Sequence, residues 1–336
     1  MKFRPLSLIV AGGINRFQVS RLSGIIRGSS FYNLSGGGMF VPEKAMPQKL
    51  CVVGLGLMGT VLAAKLVRAG YEVRGYDIDK ERMSLLEENG GTPAESPAGA
   101  AAGAAFVVLS LMNSDIVREV CFGAEGFIES AEESLLVIDT TTSRPEDSIE
   151  TAAGLRRRGF SFLDVSLSGS RDDIVALAGG DESDLERARP VIAAFARSCH
   201  HMGPSGAGAR TKLIVNLISG LNRLVMAEGL VLGMKSGMDM EALLEVLKDT
   251  AAYSKAMVHR GGRMVRADYD NPSSRIRQHH KDVRLILEQG RLFNTPMFLT
   301  GVHDQILQAA ELGGLEDADN AALIEVLRRL AGIPSF

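Results

Sequence analysis

Apolar residues follow two rhythms along this chain. Up to about residue 205, short apolar runs alternate with stretches of helical period. Leu50-Cys51-Val52-Val53 is a continuous apolar run, the pattern of a strand buried on both faces of a parallel sheet. A helical pattern through Leu62, Leu66 and Val67 follows and closes at Gly70. Residues 71–76 alternate into a second strand ending at Asp77, and 80–88 reads as a helix with a charged face that stops at Gly90-Gly91. Further strands are predicted over 105–111, 135–139 and 160–164, with helices between them. Strands and helices alternating at this spacing predict an α/β Rossmann-type, doubly wound parallel sheet. After about Gly206 only the helical period remains, over 211–235, 240–247, 277–289, 297–312 and 320–330. The expected organisation is a dinucleotide-binding domain over 47–205, an all-helical C-terminal domain over 206–336, and an extension over 1–46.

That extension has its own composition. Residues 1–42 contain no Asp or Glu, while Lys2, Arg4, Arg16, Arg21 and Arg27 are basic. It is expected to lie outside the folded core, either as a disordered leader upstream of a start near Met39 or Met46, or as an organelle transit peptide. A secretory signal fits less well, because the apolar run over 6–11 is short. The expected location is cytoplasmic, or the mitochondrial matrix if residues 1–45 are a transit peptide.

Composition narrows the function classes. The chain has 336 residues, a formal charge of −3, 46% hydrophobic residues and no Trp. Its length suits two domains, and the near-neutral balance argues against a nucleic-acid partner. Cys51, Cys121 and Cys199 have neither CxxC nor metal-ligand spacing and read as free thiols. No stretch reads as a membrane span: the most apolar run, 213–234, carries Asn216, Asn222, Arg223 and Glu228, which are costly in lipid. It reads as a buried helix, covered in part by a second subunit of a homodimer or homotetramer.

Two stretches carry chemistry. Gly54-Leu55-Gly56-Leu57-Met58-Gly59 is GxGxxG, placed after a strand and opening a helix, with Asp77 closing the next strand. Gly54 permits the tight turn, Gly56 admits a pyrophosphate close to the backbone, and Gly59 lets helix and strand pack closely. The helix N-terminus offers free N–H groups to phosphate. Asp77 suits the ribose hydroxyls of NAD and disfavours a 2′-phosphate, a preference that Lys80 and Arg82 moderate, so NAD is expected and NADP is possible. The second stretch is residues 206–216, where Lys212 and Asn216 share a helix face at i, i+4 in an apolar run. Burial lowers the pKa of a lysine and makes it a competent acid and base; snorkelling to the surface is the bland alternative. Asp164 to Ser170 and Asp139 to Ser143 close two strands on the edge where such sheets bind ligands.

In this order, the motifs resemble the β-hydroxyacid dehydrogenases, relatives of 6-phosphogluconate dehydrogenase, over residues 47–330. The resemblance implies that Gly54, Leu55, Gly56, Leu57, Met58, Gly59, Asp77, Thr142 and Lys281 contact the dinucleotide. It implies that Lys212 is the catalytic lysine, that Ser168, Gly169 and Asn216 bind substrate, and that no metal is required. Lys281-Asp282 matches the family's C-terminal KD element. Ser170 replaces a glycine, Ser166 a proline, and Ser273-Ser274 a Gly-Phe pair; the turn after Ser170 is short. These departures fall where substrate identity is decided. Arg275 and Arg277 read as solvated helix charges, with extra anion contacts as the alternative. The pairs His200-His201 and His279-His280 read as surface residues.

The implied activity is NAD(P)-dependent interconversion of a small β-hydroxy acid and its semialdehyde or oxo acid. The rival readings are imine reduction, decarboxylating oxidation of a phosphorylated sugar acid, and a non-catalytic dinucleotide sensor on the same fold.

Overall fold

The structure, a computed structural model, describes residues 48–129, 131–132 and 134–334. The extension predicted over 1–46 lies outside the described residues.

The strands are β1 (Lys49–Val53), β2 (Glu72–Tyr76), β3 (Thr92–Pro93), β4 (Phe106–Leu109), β5 (Leu136–Asp139), β6 (Ser161–Gly169), β7 (Ile174–Gly179) and β8 (Ser198–Gly203). Between them run helices α1 (Gly59–Arg68), α2 (Lys80–Glu88), α3 (Pro97–Ala101), α4 (Ser114–Phe122), α5 (Pro145–Arg156) and α6 (Glu182–Phe195). The sheet order is β3-β2-β1-β4-β5-β6-β7-β8. The strand order reverses between β1 and β4, which opens the crevice where dinucleotides bind on such sheets.

β1 shows why the sheet has a layer on each face. Leu50 and Val52 pack with Leu62 and Leu66 of α1 and with α6; Cys51 and Val53 point the other way, among α3, α4 and α5. Cys51 and Cys121 are buried free thiols, and burial raises their pKa; Cys199 is half-buried.

The sheet departs from the sequence expectation in one respect. β6 continues to Gly169 and turns back through β7, antiparallel, pairing Ser168 with Val175 and Gly169 with Ile174. β8 then adds in parallel to β7. The sheet is therefore parallel except for one pair. β7 is a continuous apolar run that the short turn after Ser170 obscured. β8 (Ser-Cys-His-His-Met-Gly) is a polar edge strand with no alternation to read.

From α7 (Ala207–Lys235) onward the fold is helical: α8 (Met240–Lys248), a π-helical turn (Met257–Gly261), α9 (Gly262–Arg266), α10 (Ile276–Leu292), α11 (Phe298–Leu312) and α12 (Ile324–Leu330). α7 is long and apolar enough, by length and composition, to cross a membrane. Here it packs on β6 and β7 at its start and on α10 and α12 further along. Its C-terminal half joins a core with Leu244, Val283, Leu307 and Ile324.

Candidate active site

The nucleotide turn is built largely from main chain. Gly54 takes φ +89°, in the left-handed region. A Cβ on Gly59 would overlap the carbonyl oxygen of Gly54, so the start of α1 can sit against the turn only with glycine there. The N–H groups of Leu57 and Met58 donate to no other main-chain group among the described residues. Free donors, a glycine-lined floor and a helix N-terminus fit a pyrophosphate. Asp77 faces this turn and is itself held: its carboxylate accepts from Leu55 N at 2.6 Å and Asp79 N at 2.9 Å, and Arg82 Nη1 lies 3.4 Å away. Sequence reading anticipated the place of Asp77 but not this second task of bracing the turn.

The second part of the site begins with a helix cap. Asp164, buried on β6, accepts from Gly206 N at 2.7 Å and from Ala209 N at 2.8 Å, so it caps the N-terminus of α7. Burial raises the Asp164 pKa, and these N–H groups oppose the rise. Gly208 makes the approach possible, because a Cβ there would strike the carbonyl oxygens of Asp164 and Leu177. The capping aspartate thus decides where Lys212, one turn later, stands. Side chains alternate along a strand, so Asp164, Ser166 and Ser168 share the face that α7 covers. Ser168 is half-buried, and Gly169 is exposed at the strand end.

Lys212 is half-buried and makes no hydrogen bond or ion pair with the described residues. Desolvation lowers its pKa; Asp282 opposes this, and Arg223 and Lys281 add to it. Asn216, on the same face, donates to Asp282 Oδ2 at 2.8 Å. Asp282 therefore orients Asn216 and moderates Lys212. It lay inside the KD element, but only the fold brings it to α7.

Lys281 ties the helical region to the sheet edge. Its Nζ donates to Thr142 O at 2.9 Å and Met112 O at 3.1 Å, on the turns after β5 and β4. Thr142 is thus placed at the crevice with its carbonyl engaged. Beneath it, Thr141 Oγ1 accepts from Leu111 N at 3.1 Å, and Asp139 Oδ1 accepts from Thr141 N at 2.9 Å. Asp139 is buried, and desolvation raises its pKa to about 7.

One reading holds and another changes. Arg275 and Arg277 pair with Asp317 at 3.5 and 2.9 Å, so each has a local partner. His200 and His201 are on the surface, as expected, but His279 and His280 are 5% and 1% exposed. The signal was present: Ile276, His279, His280, Val283 and Ile286 follow the spacing of one buried helix face. His280 is paired with Glu311 at 2.9 Å and Asp304 at 3.1 Å.

With this geometry in hand, the chain can be set beside known proteins. Residues 49–203 match the family model for the NAD binding domain of 6-phosphogluconate dehydrogenase, and residues 206–327 the one for the NAD-binding of NADP-dependent 3-hydroxyisobutyrate dehydrogenase. The 3-sulfolactaldehyde reductase of Escherichia coli (strain K12) is 31% identical over 289 residues, 84% of this chain and 97% of that enzyme. The chain belongs to the β-hydroxyacid dehydrogenase family. The 2-(hydroxymethyl)glutarate dehydrogenase of Eubacterium barkeri is 27% identical over 290 residues, 85% of this chain and 96% of that one. Among solved structures, the 3-hydroxyisobutyrate dehydrogenase of Salmonella typhimurium aligns with a TM-score of 0.77 at 26% identity, covering 83% of this chain and 99% of that chain. As a member of this family of oxidoreductases, the chain binds NAD(P) and has a small-molecule substrate.

Proposed function

We propose that this β-hydroxyacid dehydrogenase interconverts a small β-hydroxy acid and its semialdehyde or oxo acid, with Lys212 as the general acid and base. Lys212 carries the assignment: it is a desolvated amine with no hydrogen bond or ion pair among the described residues, held by the Asp164 cap on the face of α7 shared with Asn216. An amine whose pKa is lowered by desolvation can take a proton from a hydroxyl and return it to a carbonyl oxygen. Such assistance is typically worth about 10²–10⁴-fold in rate.

Ser168 and the backbone at Gly169 receive the substrate carboxylate. Asn216, fixed by Asp282, donates to the reacting oxygen beside Lys212. The nicotinamide, when bound, supplies the hydride acceptor or donor. Gly54 to Gly59 and Asp77 hold the dinucleotide, and Lys281 and Thr142 bound its nicotinamide end. Asp77 favours NAD, and Arg82 beside it lessens the discrimination against NADP. The named substrates of two relatives, 3-sulfolactaldehyde and 2-(hydroxymethyl)glutarate, are short acids bearing an aldehyde or a hydroxyl, in keeping with this class.

A second copy of the chain suits the outer face of α7, where Ile214, Ile218, Val225 and Leu232 are each more than half exposed. Light scattering of the purified protein tests for a homodimer or homotetramer.

The deciding experiment measures NADH and NADPH consumption against glyoxylate, succinic semialdehyde, tartronate semialdehyde and methylmalonate semialdehyde. Turnover of at least one is expected. Tight dinucleotide binding with no carbonyl reduced would instead favour a sensor, and reduction of cyclic imines alone would favour imine reduction.

A further inference from the structure

α7 carries a charged group that the chemistry above leaves unused. At about 100° per residue, Lys212, Asn216, Ser219 and Arg223 fall within a stripe about 60° wide. Arg223 Nε and Nη2 are sealed from solvent and have no acceptor among the described residues. The side chain as a whole keeps part of its surface open.

The neighbouring acids are already committed. Asp319 is fully buried, accepts from Ser273 N and Ala321 N, and pairs with Arg260 at 3.2 Å and Arg263 at 3.8 Å. Asp282 is taken by Asn216 and lies 3.6 Å from Lys281 Nζ. The charge of Arg223 is felt nearby: after burial itself, it helps hold His279 and His303 neutral, with His303 lowered to about 4. A buried guanidinium with empty donors is destabilising unless an anion completes it. Its planar fork suits a carboxylate or similar oxyanion.

We propose that Arg223 determines substrate specificity by receiving a second, distal acidic group, so that the preferred substrate is a dianion with its hydroxyl or carbonyl at Lys212 and its far acid on Arg223. This rests on the assignment of the reacting oxygen to Lys212. The guanidinium with no acceptor among the described residues, on the stripe that bears Lys212, is the observation behind it.

The test compares matched pairs with the full chain and NAD or NADP. 2-(Hydroxymethyl)succinate is set against 2-(hydroxymethyl)butanoate, and 2-(hydroxymethyl)glutarate against 2-(hydroxymethyl)pentanoate; each pair differs only in the distal carboxylate. In at least one pair the dianion is expected to have a kcat/KM about tenfold or more above the monoanion. Arg223→Met should collapse that ratio to about one, mainly through KM, and Arg223→Lys should restore part of it. Equal kcat/KM within both pairs for the wild-type protein, or an unchanged ratio in Arg223→Met, overturns the proposal.

A binding readout separates this from the proposed reaction. Calorimetry on the NAD-loaded protein is expected to show glutarate or succinate binding about tenfold more tightly than pentanoate or butanoate, with the difference gone in Arg223→Met. If that difference appears while no alcohol is oxidised, the Lys212 assignment fails and the distal site stands. If Lys212-dependent turnover appears without the difference, the distal site fails alone.

Discussion

The nucleotide turn and the inner face of α7 meet the same problem, holding a polar ligand in a largely apolar protein, in opposite ways. At the turn the candidate binding atoms are main-chain N–H groups of consecutive residues, and Asp77 is braced by Leu55 N and Asp79 N. On α7 the candidate binding atoms are side chains, and two of the cations, Lys212 and Arg223, lack hydrogen-bond partners among the described residues. α7 also departs from the usual two-faced helix of a folded protein, since beside its buried apolar face (Leu213, Leu224, Ala227, Leu230) it carries a half-buried polar stripe. That stripe is half-buried, while Ile214, Ile218, Val225 and Leu232 lie roughly opposite it and are exposed. A main-chain site is encoded by a few adjacent residues. A side-chain site depends on segments far apart in the chain, so its chemistry is exposed to change at each of them.

The largest expected effect is at Lys212. Lys212→Ala should lower kcat by about 10²–10⁴-fold or more while dinucleotide affinity, followed by NADH fluorescence, stays near that of the wild-type protein. Near-normal turnover would remove the lysine from the reaction. At the other site the split reverses. Gly59→Ala drives a methyl into the Gly54 carbonyl and should cost about 1–3 kcal/mol of stability together with dinucleotide binding. A melting curve and a fluorescence titration check both.

Lys281 joins the two regions. Lys281→Met removes the donor to Thr142 O and Met112 O and should raise the KM for dinucleotide about fivefold, with a smaller effect on kcat. An unchanged KM would confine Lys281 to the surface.

A separate effect, on stability rather than turnover, concerns Asp139, below the sheet edge. Its folded pKa, about 7, lies above the unfolded value of 3.8. Between these values the unfolded chain ionises first, so stability is lost as pH rises from about 4 to 7 and is flat above that. Asp139→Asn cannot ionise and keeps an acceptor for Thr141 N. Its Tm should therefore fall less than that of the wild-type protein between pH 5 and pH 8, by roughly 5 °C. Parallel pH profiles for the two proteins would show that Asp139 does not resist ionisation.

How much could be read in advance follows from the distance over which each feature is encoded. β1, the glycine turn, α1 and the strand ending before Asp77 were legible, because apolar rhythm and turn chemistry act over a few residues. α2, α8, α10 and α11 were legible from helical period within a few residues of their ends. The α7 pattern showed Lys212 and Asn216 on one face before any fold was known. The antiparallel turn into β7 was missed because the short turn after Ser170 leaves little local trace, and β8 because an edge strand need not alternate. His279 and His280 were misplaced because adjacency outweighed the period that buries them.

What the chain determined by itself is therefore the local grammar: where most strands and helices lie, which glycine turn opens a helix beneath an acid, and which lysine stands in an apolar helix. Tertiary structure alone decided that Asp164 caps α7, that Asp282 meets Asn216, that Lys281 reaches two strand ends, and that Arg223 is left without an acceptor among the described residues. Each of these is a contact between residues tens of positions or more apart, or the lack of one. Such pairings are set by how layers pack, and no short window of residues contains both partners.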